Sequence, residues 1–261
     1  MADRQTGCVS DPIEEVLFGG NVATSVVRIG PSVRKPITAA TPAVEAVLQH
    51  LQTVGFDAAP RTLGRDGLGQ HVLEYIPGTV ADALPPLSDA ELDRLGRLVR
   101  SLHDALPDFV PPADAQWQVA IPPDREELIC HNDLAPWNLI RDGDRWVFID
   151  WDGAGPGSRL WDLAYAAQTF IPLWDGGKPD NCGRRLRRLA DAYGLDQEYR
   201  HRWLQLITAH TRGMFTLLRE SAVSGVQPWA DLDQRGHGAV WLAAAQFTAD
   251  HAQQWMDALT E

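Results

Sequence analysis

Apolar residues recur most regularly between residues 88 and 106, where Leu92, Leu95, Leu98, Val99 and Leu102 share one helical face. Ser88 and Glu91 precede them at the spacing of a capping box, so the pattern predicts a helix over this stretch. His103 continues the apolar face and reads as an interior histidine. A second helix is predicted from Thr41. A hydroxyl cap and Pro42 start it, Val44, Val47, Leu48 and Leu51 form its stripe, and Gly55 ends it. Around these helices the apolar runs are short and strand-like. Residues 15–29 read as two strands about Gly19-Gly20-Asn21, and residues 32–35 as a third that Pro36 cuts short. His71 to Ile76 forms another, broken by Pro77-Gly78. Residues 107–123 are proline-rich and predict a loop. Beyond residue 157 the period turns helical, with one stripe through Leu186, Leu189, Ala190 and Tyr193. A further stripe runs through Val240, Trp241, Ala244, Phe247, His251 and Trp255.

The chemistry concentrates between residues 128 and 152. Leu128-Ile129-Cys130 reads as a short buried strand leading into His131-Asn132-Asp133. Residues 138–141 and 145–150 read as a hairpin about Asp142-Gly143-Asp144. Folding at Gly143 brings Asn138 beside Phe148 and Ile149, so Asn138 and Asp150 reach the same end of the ribbon, next to Asp133. Asp133, Asn138 and Asp150 are the set that metal-assisted phosphoryl transfer requires. One carboxylate handles the proton of an attacking hydroxyl, while an amide oxygen and a second carboxylate hold Mg²⁺ on the phosphates. Magnesium takes hard oxygen ligands and keeps several waters, so two protein ligands suffice.

The run His131 to Asn138, followed by Ile149-Asp150-Trp151-Asp152, resembles the aminoglycoside phosphotransferase and choline kinase-like family of small-molecule kinases. The likeness is strong over residues 128–170, diffuse over the first 80 and thin after 175. It implies an α+β, two-lobed protein-kinase-like fold. Its N-lobe would span residues 1–75, its hinge 76–79 and its helical C-lobe 80–261. Carried over by position, Asp133 is the catalytic base, Asn138 and Asp150 are metal ligands, and His131, placed in the same catalytic loop, supports it. Asp162, in Arg159-Leu160-Trp161-Asp162-Leu163-Ala164, braces that loop from beneath. Gly19 and Gly20 would lie over the nucleotide phosphates. Lys35, or its neighbour Arg34 on the opposite strand face, would contact them, with Glu45 orienting Lys35. The backbone from Glu74 to Ile76 would bind the adenine edge. The implied cofactors are ATP (or GTP) and Mg²⁺. Two departures stand out: Asn132 where many antibiotic kinases have Gly, and Asp152 where protein kinases have Gly.

Composition narrows the partners. At 261 residues, with 44% hydrophobic residues and ten tryptophans, the chain is long enough for one large domain or for two lobes around a shared cleft. The formal charge of −12 argues against nucleic acid, whose phosphates recruit Lys and Arg, and suits a cationic small-molecule acceptor. No apolar run approaches the ~20 residues of a membrane span, and no secretory signal opens the chain. Cys8, Cys130 and Cys182 have neither zinc nor redox-pair spacing, and the expectation is a reduced, cytoplasmic protein. Cys130, ending an apolar strand, reads as packing. The expected function is ATP-dependent phosphorylation of a hydroxyl on a small molecule, such as an antibiotic or an amine-bearing metabolite. Its rival is a non-catalytic immunity or sequestering protein on the same fold. A metal-dependent hydrolase would need further ligands beside Asp133 and Asp150, and none is placed there.

Overall fold

A computed structural model describes residues 14–17 and 26–260. Five short strands build an antiparallel sheet in the N-terminal part. They are β1 (Glu14–Leu17), β2 (Val26–Ile29), β3 (Ser32–Lys35), β4 (Thr62–Arg65) and β5 (His71–Glu74), in the order β1-β2-β3-β5-β4. Pairing of Leu17 with Val26 makes β1 and β2 a hairpin, while its Gly19-Gly20 connection lies outside the described residues. The strand β4 was not legible in the sequence. Thr62-Leu63-Gly64-Arg65 has only one large apolar residue, and its edge position leaves Leu63 exposed.

Helix α1 (Thr41–Thr53) crosses between β3 and β4. It starts one position earlier than the capping pattern predicts. Ala40 is the N-cap, Thr41 is already helical, and the Thr41 hydroxyl accepts from the Thr38 N–H at 2.8 Å. Val44, Val47, Leu48 and Leu51 are buried as the stripe requires, in the same core as the first helix of the C-terminal part. The chain leaves the sheet through Ile76, Pro77 and Gly78 to β6 (Thr79–Val80). Gly78 has φ 131°, and a Cβ there would stand 2.7 Å from the Arg141 carbonyl oxygen. This crossing needs glycine on both counts.

The C-terminal part is helical. Helix α2 (Asp89–Asp104) carries the expected capping box between Ser88 and Glu91. It is followed by β7 (Leu128–Cys130), β8 (Leu139–Asp142), β9 (Arg145–Phe148) and β10 (Gly155–Gly157). β8 and β9 form the predicted hairpin, with Leu139 opposite Phe148 and Asp142 opposite Arg145. β6 extends this hairpin, and β7 pairs with β10. Then come α3 (Arg159–Phe170), α4 (Pro179–Tyr193), α5 (Gln197–Ser224), α6 (Trp229–Gln234), α7 (His237–Asp250) and α8 (Ala252–Thr260). The 28-residue α5 is the spine against which α3, α6, α7 and α8 pack. α2 lies on α4 at Gly96, where a Cβ would approach Ala192 Cβ to 2.8 Å. The stripe predicted through Val240 to Trp255 is divided. The chain breaks between α7 and α8 at His251, and Val240 is 64% exposed while Trp255 is fully buried. No helix among the described residues is long and apolar enough to cross a membrane.

Candidate active site

The segment between β7 and β8 is fixed from beneath by α3. Asp162, 0% exposed, accepts from the His131 N–H at 3.2 Å and the Asn132 N–H at 2.9 Å. Its Oδ2 also lies 3.1 Å from His103 Nε2, and His103 Nδ1 lies 2.8 Å from the Tyr193 hydroxyl. His103 is thus the satisfied interior histidine that its apolar helix face implied. Asn132 sits at φ 61°, a conformation that Asn tolerates better than most residues. Its side-chain amide donates to the carbonyls of Gly153 and Gly155 at 3.1 and 3.2 Å. Asn in place of Gly here is therefore a structural choice, tying the loop to the segment after Asp150.

His131 spends both ring nitrogens on backbone. Nδ1 accepts from the Asp133 N–H at 3.2 Å, which leaves the proton on Nε2 to donate to the Ile149 carbonyl at 3.1 Å. The ring also meets Trp151 edge-on at 4.7 Å. Asp133 projects from the following position. The Asn138 amide donates to its carbonyl at 3.0 Å and its Oδ2 at 2.7 Å, leaving Asn138 Oδ1 without a protein partner among the described residues. Burial raises the Asp133 carboxyl above the usual carboxylate range. His131 and the hydrogen bond from Asn138 pull it down, and Asp150 adds to the rise.

Asp150 follows β9 with φ 58°, in the left-handed region, and turns the chain into a short 3-10 segment, Trp151–Gly153. The Ile149 N–H donates to the Asn138 carbonyl at 2.8 Å, bringing the two ends of the hairpin together as the fold-back predicts. Lys35 arrives from β3 and is 7% exposed. Its Nζ stands 2.7 Å from Asp150 Oδ1 and 2.7 Å from Asp152 Oδ2. Burial pushes the ammonium down, and the two carboxylates more than offset it, holding Lys35 above its ordinary value. Arg34 points to the other face, toward Asp66 at 3.4 Å and the Ser32 hydroxyl at 2.6 Å. Strand alternation thus puts Lys35, and not Arg34, on the face that meets Asp150 and Asp152.

One predicted pairing is corrected. Glu45 does not hold Lys35: it binds Arg65 of β4 through two hydrogen bonds of 3.1 and 3.0 Å and lies 3.9 Å from His71. The edge strand brings a guanidinium to Glu45, and Lys35 is already claimed by two aspartates. Asp152 is the corresponding omission from the sequence-derived set. Its two-residue offset from Asp150 was visible, and the 3-10 turn that brings both carboxylates to one ammonium was not. At the crossing from the sheet, the Glu74 N–H donates to Arg61 and the Tyr75 N–H to Pro31, each at 2.9 Å. Of the three predicted positions, only Ile76 has an amide without a backbone partner among the described residues. Ile76 packs with Ile140 and Val147, flanked by Val80 and Ile149, as an apolar patch leading towards Asp150. Glu74 uses its side chain across the crossing, pairing with Arg145 of β9 at 3.0 Å.

Residues 113–206 match the Phosphotransferase enzyme family. Over 258 residues the chain is 28% identical to the trifolitoxin immunity protein of Rhizobium leguminosarum bv. trifolii, covering 92% of this chain and 98% of that protein. Among solved structures, it resembles a choline/ethanolamine kinase family protein from Mesorhizobium loti with a TM-score of 0.63 at 17% identity, over 98% and 94% of the two chains. The amicoumacin kinase hAmiN, solved with AMP-PNP, Ca²⁺ and Ami, gives 0.63 at 12% identity over 92% and 88%. Spectinomycin phosphotransferase APH(9)-Ia, solved with ADP and its antibiotic, gives 0.53 at 11% over 95% and 93%. The fold is therefore the kinase-like one, with an antiparallel sheet in the N-terminal part and a helical C-terminal part. The expected resemblance to the aminoglycoside phosphotransferase and choline kinase-like group holds.

Proposed function

We propose that this protein transfers the γ-phosphate of ATP to a hydroxyl of a small molecule, with residues 1–75 and 80–261 as two lobes about a hinge at 76–79. The observation that carries the reading is the convergence of Lys35, Asp150 and Asp152 on one side of the loop with Asp133 and Asn138 on the other. Ile76, whose amide has no backbone partner among the described residues, would offer it to the base, and the apolar patch around Ile140 and Ile149 would supply a dry floor. Lys35 would pair with phosphate oxygens once the nucleotide competes for it with Asp150 and Asp152.

The donor set fits a divalent cation. Asp150 and Asp152 already converge on a positive charge, the Lys35 ammonium, and Asn138 keeps its Oδ1 open while its Nδ2 is used. Asn138 and Asp150 would hold Mg²⁺, with Asp152 beside them, and the bound ion would neutralise charge on the phosphates. Asp133 does the proton work at its carboxylate. Its neighbour His131 has no free nitrogen, and burial makes Asp133 a stronger base than a solvated aspartate. Positioning and electrostatics supply most of the acceleration in such transfers. The solved relatives with AMP-PNP and Ca²⁺, or ADP and an antibiotic, support nucleotide, cation and small-molecule acceptor as the ligand classes.

Incubating the protein with radiolabelled ATP, Mg²⁺ and a panel of aminoglycosides, amines, peptide antibiotics and nucleosides tests the reading. Labelled product that disappears in Asp133→Asn is expected. A second reading, protection by sequestration, draws support from the immunity relative. It requires Asp133→Asn to keep both binding and protection, whereas the phosphotransferase reading requires protection to vanish while binding survives.

A further inference from the structure

The outer side of α2 carries a pattern that the candidate active site does not use. Arg94, Arg97 and Ser101 follow at intervals of three and four, which aligns them along the helix. With Asp57 and Ala58 after α1, and Asp144, Arg145 and Trp146 at the turn of the β8–β9 hairpin, they line a groove of about 530 Å³. A smaller recess shares Asp57 and Arg145 with it and adds Arg61. Asp142 pairs with Arg145 beside the hairpin turn, whereas Ile149 joins Asn138 at the opposite end of the ribbon. The groove is therefore separate from the place where Asn138 and Asp150 meet.

Its charge runs against that of the chain. The sequence has 35 acidic and 23 basic residues, yet groove and recess gather four arginines against two aspartates. Two of the arginines are held in place. The Arg94 guanidinium donates to the Asp144 carbonyl and lies over the Trp146 ring at 4.6 Å, and Arg145 pairs with Glu74 at 3.0 Å. The Asp144 carboxylate stands out in solvent, 3.8 Å from Arg94. Arg61 and Arg97 are exposed, and neither side chain has an ion pair or a hydrogen bond among the described residues. Arg94 and Arg97, on adjacent turns, repel one another, and an anion held between them turns that repulsion into attraction.

We propose that this groove binds a phosphate group, free or carried by a small polar molecule without an aromatic ring. Guanidinium forks match phosphate oxygens in pairs. Arg94 is already fixed against Trp146, Arg97 joins it from the next turn of the same helix, and Arg61 adds charge from the recess. The volume is that of a small-molecule site. The exclusion of a ring follows from Trp146, which is 4% exposed and lies under both Arg94 and Arg141, the latter at 4.8 Å. No aromatic face is left on which a base could stack. Asp57 and Ser101 instead offer oxygens to the hydroxyls of a polar carrier. Such a ligand would bridge the two parts of the chain, because the connection that carries Asp57 is tied to β9 by the Phe148 N–H and the Ala58 carbonyl at 2.9 Å.

Calorimetric titration of the full chain with inorganic phosphate, and with glycerol 3-phosphate, tests the proposal without nucleotide present. Arg97→Gln removes an exposed guanidinium that has no partner among the described residues, so the fold should survive it. Affinity is expected to fall about tenfold, the scale of one lost hydrogen bond to a charged group. Arg100→Gln removes an arginine of the same helix that pairs with Asp104 at 2.7 Å and does not line the groove. It should stay within twofold of wild type, and so should Lys35→Ala. Tighter binding of glycerol 3-phosphate assigns the groove to carried phosphate, and equal or weaker binding assigns it to the free ion. No binding by the wild type, a loss under threefold in Arg97→Gln, or an equal loss in Arg100→Gln overturns the proposal. Binding that vanishes in Lys35→Ala and persists in Arg97→Gln also overturns it, and puts the phosphate beside Asp150 and Asp152, as the phosphotransferase reading expects.

Discussion

Lys35 shows most sharply what single residues contribute here. One buried ammonium faces two carboxylates at 2.7 Å, so its removal leaves Asp150 and Asp152 repelling each other at the site proposed for the phosphates. Lys35→Ala is expected to lower turnover by roughly 10²-fold, the scale of losing one preorganised charge contact to the transition state. Arg34→Ala, on the opposite strand face, should stay within a few-fold of wild type. Steady-state kinetics decides, and the reverse ranking would sink the assignment of the inward face. Asp150→Asn should weaken Mg²⁺-dependent nucleotide binding more than Asn138→Ala, because it removes a full charge from the cation's shell. Calorimetric titration with and without Mg²⁺ checks this, and equal MgATP affinity in Asp150→Asn and wild type would refute the metal assignment. These residues differed in legibility for a physical reason. Asp133, Asn138 and Asp150 are brought together by one loop and one hairpin, so local turn chemistry places them. Lys35 meets Asp150 across 115 positions of sequence, and its true partners emerge only when sheet and hairpin dock. Glu45 was misassigned for the same reason, since Arg65 stands on a strand that the apolar pattern did not reveal.

Among the elements, α3 and the crossing at Gly78 do the most to shape the site. Asp162 accepts from two loop amides and faces His103 in a fully buried setting. Asp162→Ala would leave those donors unpaired, at a cost of about 3–5 kcal/mol, the scale of breaking a buried network at one member. Urea unfolding should register that loss, and a change below about 1 kcal/mol would mean that the loop is held by something else. Gly78→Ala tests the crossing. A methyl group 2.7 Å from the Arg141 carbonyl oxygen, at φ 131°, forces β6 away from β8. A destabilisation of about 1–3 kcal/mol is expected, seen as a lower unfolding midpoint. The helices of the first hundred residues were legible because capping and 3.6-residue spacing are local signals, and α2 shows both. The α7–α8 break was not. Its apolar stripe continues in sequence through His251, whereas the chain turns there to wrap Trp255 into the core beside α4 and α5.

For the whole molecule, a histidine buried among aromatic rings between α3 and α5 ties global stability to pH. His210 lies in the middle of the helical part, between Trp161 and Tyr165 at 4.6 Å from each, and its Nδ1 has no partner among the described residues. Burial lowers its pKa from 6.5 to about 4, against the opposing pull of Asp162. The folded protein therefore binds fewer protons at this site than the unfolded chain does. The stability that follows is fully present above pH 6.5 and is lost as pH falls towards 4, at up to about 1.4 kcal/mol per pH unit. A shift of that size corresponds to roughly 3 kcal/mol over the window. The −12 formal charge works the other way, because acidification relieves repulsion among the surface carboxylates, so the wild-type profile alone mixes both effects. His210→Phe separates them, keeping an aromatic ring against Trp161 and Tyr165 while removing the titrating nitrogen. Urea unfolding at pH 7, 6, 5 and 4.5 should show a shallower loss of stability in His210→Phe, with the two curves converging on the surface-charge slope above pH 6.5. Parallel curves throughout would show that His210 takes up its proton as readily in the folded protein as in the unfolded chain, so that burial does not keep it neutral.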